Sequence, residues 1–239
     1  MPVGQLLVWL WETGLEDFGR RYWGLVTHTF TLGFMAATLT VSLALLVAFG
    51  QRQLGNVNGS GFAMRIAGLG YALPGTVLAV GIMLSFASLD AWLVAPVRAL
   101  LDLPPRQILV GSVAALVLAY CVRFFTVALG PIQSSFERLK PSYQEVAQSL
   151  GAGQWQVLKR VYIPMLSPGL FTAVLLVLVD VMKEMPATLL MRPFGWDTLA
   201  VRIFEMTSEG EYERAALPAL CLLIVGLIPM ILTIRQNRD

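Results

Sequence analysis

Along most of this chain apolar residues come in long unbroken blocks separated by short polar stretches, rather than alternating with polar ones. A helix that crosses a hydrocarbon core of about 30 Å needs about 20 such residues. Five blocks meet that length: His28 to Phe49, Ile66 to Leu89, Ile108 to Leu129, Pro168 to Met191 and Ala215 to Ile234. Each predicts a membrane-spanning helix. The second is interrupted early by Gly68, Gly70, Pro74 and Gly75, and the third is expected to stop at Gly130-Pro131. Turn residues fill Gly55 to Gly61. The pattern predicts an all-α polytopic membrane bundle over residues 23–235. Residues 1–22 are expected to form an interfacial or extracytoplasmic segment, where Trp9 and Trp11 suit a membrane surface. The alternative for that segment is the tail of a longer chain.

Composition agrees. Of 239 residues, 56% are hydrophobic and 13% charged, about half the charge of a soluble domain. The mean hydropathy is +0.70. Cys121 and Cys221 lie in apolar runs and make no disulfide framework. With His28 the sole histidine, a histidine-built metal site is not expected. Neither is a catalytic residue, a cofactor or a nucleic-acid partner. Met1 to Gly14 lacks the basic leader of a signal peptide and carries Glu12.

Basic residues set the expected orientation. If the loop between spans three and four is cytoplasmic, the inner segments hold Arg52, Arg65, Arg138, Lys140, Lys159, Arg160, Arg235 and Arg238 against Glu137, Glu145 and Asp239. This favours an external N-terminus and a cytoplasmic C-terminus, since cytoplasmic loops carry the excess of Lys and Arg.

That polar loop, residues 131–167, contains a short helix with start and stop signals. Ser142 suits an N-cap, with Glu145 three residues on as in a capping box. Gly151 suits the stop. Tyr143, Val146, Ala147 and Leu150 follow the i, i+3, i+4, i+7 spacing of one apolar face. A second amphipathic turn, with Trp155, Leu158, Val161 and Tyr162 beside Lys159 and Arg160, is expected to end at Pro164. The first helix either caps the protein's own inner face or is presented to a partner.

The loop resembles the permease signature of importers driven by an ATP-binding cassette (ABC): Glu-Ala-Ala, three residues, Gly, nine residues, Ile-x-Leu-Pro. Here stand Glu145-Val146-Ala147, then Gly151, then Val161-Tyr162-Ile163-Pro164. Val146 replaces the first alanine, and Val161 and Ile163 are aliphatic exchanges. The resemblance covers residues 25–235 and implies the type I permease fold with a five-helix core. It implies that Ser142 to Gly151 is a coupling helix seated on a cytoplasmic ATPase dimer, and an apolar helix face fits a groove of that kind. The chain carries no P-loop of its own, because none of Lys140, Lys159 and Lys183 follows a glycine. An extracytoplasmic substrate-binding protein and a second permease half or homologous subunit are the other implied partners, in the cell inner membrane.

Within the fourth span, Asp180, Lys183 and Glu184 are spaced i, i+3, i+4 and are expected on one helix face. Charges at that depth cost about 2.5–3.5 kcal/mol each or more. They form either a structural ion-pair cluster or the wall of a water-filled pathway. Pro186 supports the pathway, because broken helix at membrane depth lines cavities. The interruption in the second span, with Tyr71 and Pro74, is either tight helix packing through small residues or a bend that lines the path or a gate. The segments 70–81 and 180–193 look like the ferric iron subgroup of these permeases, whose members are commonly two fused permease halves; this chain is similar to the second half. It resembles the polyamine, sulfate and thiamine permeases less closely. The expected function is therefore ATP-driven Fe³⁺ import without enzymatic activity in this chain. An ion-coupled secondary transporter using Asp180, Lys183 and Glu184 as a relay is the alternative, and a non-transporting scaffold is the third.

Overall fold

The computed structural model describes residues 2–13, 19–54, 67–101 and 107–236. The described elements are helical, with no strand among them. In chain order they are α1 (Pro2–Thr13), α2 (Arg20–Leu54), α3 (Gly75–Leu89), α4 (Val113–Glu137), α5 (Ser142–Ser149), α6 (Gln154–Val157), α7 (Ile163–Lys183), α8 (Pro186–Met191), α9 (Leu199–Ser208) and α10 (Ala216–Gln236). A helical stretch at 67–72 precedes α3. A π turn, Asp90–Val94, extends α3 into Ala95–Leu100, and another, Leu158–Tyr162, joins α6 to α7.

Four helical runs are long and apolar enough to cross a membrane: Tyr22–Gln53, Gly75–Arg98, Val113–Glu137 and Gln154–Lys183. The 21-residue α10 covers the fifth expected block. Several boundaries differ from expectation. Gly130-Pro131 does not end the third span, for Pro131 lies inside α4. Pro164 does not end the amphipathic turn, and α7 contains Pro168 as well. A proline missing one N–H is tolerated inside a membrane helix when neighbours and local π adjustment satisfy the freed carbonyls, and the Leu158–Tyr162 π turn sits directly before Pro164. The expected loop 131–167 is accordingly mostly helix. The boundary expected at residue 22 falls inside α2, whose polar ends, Arg20 and Gln51-Arg52-Gln53, continue the helix beyond its apolar block. The turn-rich stretch Gly55 to Gly61 lies outside the described residues. The 12-residue α1 reaches only about 18 Å and leaves Trp11 exposed.

The core is built by α2, α4 and α7. On α2, Leu32, Ala36, Ala37, Val41, Ala44, Leu45 and Ala48 form the buried stripe, while Phe34, Met35, Leu39, Leu43 and Val47 on the other side are exposed. Ala36, Ala37, Ala44 and Ala48 thus all face the protein, interspersed with Leu32, Val41 and Leu45, and small residues at such an interface permit close helix packing in lipid. Gly169 follows the same logic: a Cβ there would run into the Ser135 side chain of α4.

Candidate coupling surface and transport pathway

The short helix expected in the cytoplasmic loop exists, as α5. Its C-terminus is a complete Schellman motif. Gly151 has φ +84°, its N–H donates to the Gln148 carbonyl at 2.9 Å, and the Ala152 N–H donates to the Ala147 carbonyl at 3.0 Å. The N-terminus departs from expectation. Ser142 is already helical, Pro141 takes the cap position, and no side chain caps the helix. The Ser142–Glu145 capping box is therefore not formed. Glu145 instead lies in the first turn, where its charge complements the helix dipole.

No residue of α5 is buried. Tyr143, Val146 and Leu150 are 43%, 59% and 82% exposed, so the apolar face does not cap the protein's own surface. Ala147 packs against the core instead. Gln144 also turns inward. Its Nε2 donates to Gln53 Oε1 at 2.8 Å, and its Oε1 accepts from the Tyr162 hydroxyl at 2.9 Å. Of the second amphipathic turn, Leu158 and Tyr162 are buried and Trp155 is exposed beneath Lys159, whose Nζ sits 5.2 Å from the ring centroid.

The expected charged face of the fourth span is split by a helix break. α7 ends at Lys183, and Glu184 adopts an extended conformation before Pro186 opens α8. Asp180 and Lys183 pair at 3.1 Å, both partly exposed, and Lys183 borders an apolar groove of about 380 Å³ formed with α9 and α10. Glu184 does not join them. It is buried and bonds Arg123 of α4, Oε2 to Nε at 2.9 Å. Its Oε1 accepts from the Ala187 N–H at 3.2 Å, and its carbonyl accepts from the Thr188 hydroxyl. Thr188 in turn bonds Tyr120 at 2.6 Å.

Arg123, which the span-by-span reading passed over, joins this break to the one in the second span. Its Nη1 donates to the Leu73 carbonyl at 3.0 Å, beside Pro74. The two helix interruptions thus share one ion pair: Arg123 satisfies a carbonyl freed at Pro74, and Glu184 satisfies an N–H freed at Pro186. Close contact enforces small residues here. A Cβ on Gly75 would meet Glu184, Pro186 and Arg123, and one on Gly70 would collide with the Val122 carbonyl. Tyr71 and Pro74 are exposed next to the cluster, with Tyr71 edge-on to Phe124 at 6.4 Å. Of the expected pathway residues, the structure gathers Pro74, Glu184 and Pro186 and leaves Asp180 and Lys183 as a separate pair.

Residues 59–238 match the model of the family described as binding-protein-dependent transport system inner membrane component. The chain belongs to this family. Among curated relatives it is 26% identical over 235 residues to the Fe(3+)-transport system permease protein FbpB 2 of Haemophilus influenzae, covering 97% of this chain and 43% of that protein. It thus spans less than half of that relative's length. It is also 26% identical over 208 residues to the putative 2-aminoethylphosphonate transport system permease protein PhnV of Salmonella typhimurium, covering 87% of this chain and 72% of that one. The sulfate transport system permease protein CysT of Escherichia coli is 32% identical over 100 residues, 41% of this chain and 36% of the relative. Among solved structures, a bacterial alginate ABC transporter in complex with an alginate pentasaccharide-bound periplasmic protein has the same fold, with TM-score 0.76 over 99% of this chain and 87% of that one at 15% identity.

In this binding-protein-dependent permease a further cleft lies at the N-terminal end of α2, against the loop between α8 and α9. It encloses about 750 Å³ and is lined by His28, Leu189, Arg192, Phe194 and Asp197 among others. His28 stacks on Trp196 with centroids 4.7 Å apart. Arg192 is held by Asp197 at 2.6 Å and by Glu205 at 2.8 Å. Phe194 projects fully into solvent. Nothing local in the sequence ties His28, at the start of the first span, to residues more than 160 positions away. Asp90 was also missed. It is buried and accepts from the N–H groups of Ile108, Leu109 and Val110 at 3.1–3.2 Å, fixing the turn that leads into α4.

Proposed function

We propose that this chain is the membrane-spanning permease subunit of an ABC importer, with ATP hydrolysed on a separate cytoplasmic ATPase dimer. The observation that carries the reading is the exposed apolar face of α5, Tyr143, Val146 and Leu150, on a helix ended by a left-handed glycine. An exposed apolar patch of this kind marks an interaction site, and a groove in a partner accepts a helix through such anchors. Ser142 to Gly151 is then the coupling helix, with Pro164 closing the signature behind it. A second permease half pairs with this one, and alternating access follows as the two rock against each other. An extracytoplasmic binding protein delivers solute to the end that carries His28, Arg192 and Phe194. The cluster of Tyr71, Pro74, Glu184 and Pro186 borders the path inside the membrane, with Asp180 and Lys183 a turn away.

For the solute, the Fe³⁺ reading is supported by the similarity to an Fe(3+) permease along nearly the whole chain. Fe³⁺ prefers oxygen ligands. Tyr71 and Asp180 can offer passing contacts, whereas Glu184 is already engaged by Arg123. A second reading, an oxyanion, is favoured by the similarity to phosphonate and sulfate permeases. Competition separates them. In vesicles carrying the complete system, uptake of labelled Fe³⁺ is expected to be unaffected by an excess of sulfate, molybdate or 2-aminoethylphosphonate. Uptake of one of these anions with no Fe³⁺ accumulation would overturn the ferric assignment.

A further inference from the structure

Arg52 ends α2 with every side-chain nitrogen engaged. Nη1 donates to the Phe136 carbonyl at 2.6 Å and Nη2 to the Leu139 carbonyl at 2.7 Å. Both carbonyls lie at the C-terminus of α4, where a helix leaves its last acceptors unsatisfied and a cation is favourable. Nε donates to the Tyr162 hydroxyl at 3.1 Å. The guanidinium also lies 5.4 Å from the Tyr162 ring centroid and 5.6 Å from that of Phe136. Tyr162 is fully buried and stands in the π turn that leads into α7. Its hydroxyl accepts from Arg52 and donates to Gln144 of α5, whose amide reaches Gln53 of α2.

The inner ends of three core helices therefore meet at one guanidinium and one hydroxyl, and α5 is bonded to that meeting point through Gln144. Among the described residues, Gln144 supplies the side-chain hydrogen bonds from α5 to the spans, and the other inward contact of α5 is the non-directional packing of the small Ala147 side chain on the core. We infer that Gln144, Tyr162 and Arg52 form the relay through which a displacement of α5 reaches α2, α4 and α7. They act as positioning residues, through the bonds they make between α5 and the spans. Bonds to a charged group are short and directional, and linked bonds in a buried site reinforce one another, so α5 cannot shift without pulling on Arg52. This inference rests on the reading of α5 as the coupling helix.

The test uses the full chain in complex with the ATP-binding subunit that copurifies with it. Cys121 and Cys221 are replaced by alanine, and Leu73→Cys, exposed beside the second-span break, reports access by its rate of labelling with a water-soluble maleimide. In this background a nonhydrolysable ATP analogue with Mg²⁺ is expected to change the rate by about fivefold or more, the scale of an ordinary coupling free energy. Tyr162→Phe removes one hydroxyl and keeps the ring. It is expected to leave the ATP-binding subunit bound and to abolish the response. Gln144→Met is expected to do the same, and the double variant to fall well short of the sum of the two, because both lose the Tyr162–Gln144 bond while each loses one further bond, to Arg52 or to Gln53. A response that survives both substitutions, or one absent from the unsubstituted complex, overturns the relay. Leu150→Asp on the outer face of α5 separates this from the underlying reading. If it does not release the ATP-binding subunit, the coupling-helix assignment fails. If it does and Tyr162→Phe still responds, the relay alone fails.

Discussion

Replacing Arg123 by leucine is expected to cost this permease about 3–5 kcal/mol of stability, the usual effect of leaving one member of a buried ion pair without its partner. Glu184 is 7% exposed and Arg123 is its ion-pair partner. Without Arg123 the carboxylate must stay charged in an apolar setting or take up a proton, and the Leu73 carbonyl loses its donor. The double variant Arg123→Met, Glu184→Gln is expected to recover most of the loss. It removes both charges, and the amide oxygen that replaces the carboxylate can still accept from the Ala187 N–H. Thermal unfolding of the three purified chains in detergent measures this. Equal midpoints for the parent and Arg123→Leu would show that the pair is not the brace between the two helix breaks. If the cluster also borders the solute path, the recovered double variant should still bind its ATPase and yet transport poorly.

The second large effect concerns docking. Leu150 is the most exposed of the apolar residues on α5. If it is an anchor in the ATPase groove, an aspartate there should weaken the contact by about 2 kcal/mol or more, roughly 30-fold in affinity. Gly151→Leu acts by another route. Its φ of +84° costs a side-chain-bearing residue about 1–2 kcal/mol, and yielding to that strain opens the two Schellman bonds that end the helix. Both variants should insert normally, since neither site lies in a span. Capture of the ATPase on the tagged chain gives the result. Undiminished capture by both would remove α5 from the interface.

What could be read in advance follows from the range of the interactions. The spans were legible because a lipid-facing helix needs one long apolar block, whatever packs against it. Their ends were not. Pro131 and Pro164 look like terminators by the rules of soluble helices and Pro168 like a first residue, yet α4 and the α6–α7 run continue through all three. The stop of α5 was legible because Gly151 acts within four residues of the carbonyls it helps satisfy. Its start was misread, for Ser142 had Pro141 before it to take the cap position. The charged face of the fourth span failed for a similar reason. A periodic reading assumes an unbroken helix, but the chain leaves α7 at Glu184 and turns that carboxylate toward a residue 61 positions earlier. Only the pairing rule for buried charges pointed that way, and it named Lys183, the nearer cation. The relay at Arg52 was equally out of reach, because Arg52, Phe136, Gln144 and Tyr162 lie on four segments that only the fold assembles.

We propose that solute crosses through this permease with energy supplied by a partner ATPase through α5. Uptake into sealed vesicles containing the chain, its second permease half and its ATPase tests it directly, with binding protein outside and ATP or an ion gradient imposed separately. Accumulation that requires internal ATP, persists when proton and sodium gradients are collapsed, and is lost with Leu150→Asp is the predicted result. Accumulation driven by an ion gradient without ATP, and abolished by neutralising Asp180 and Lys183, would contradict the claim and identify an ion-coupled transporter instead.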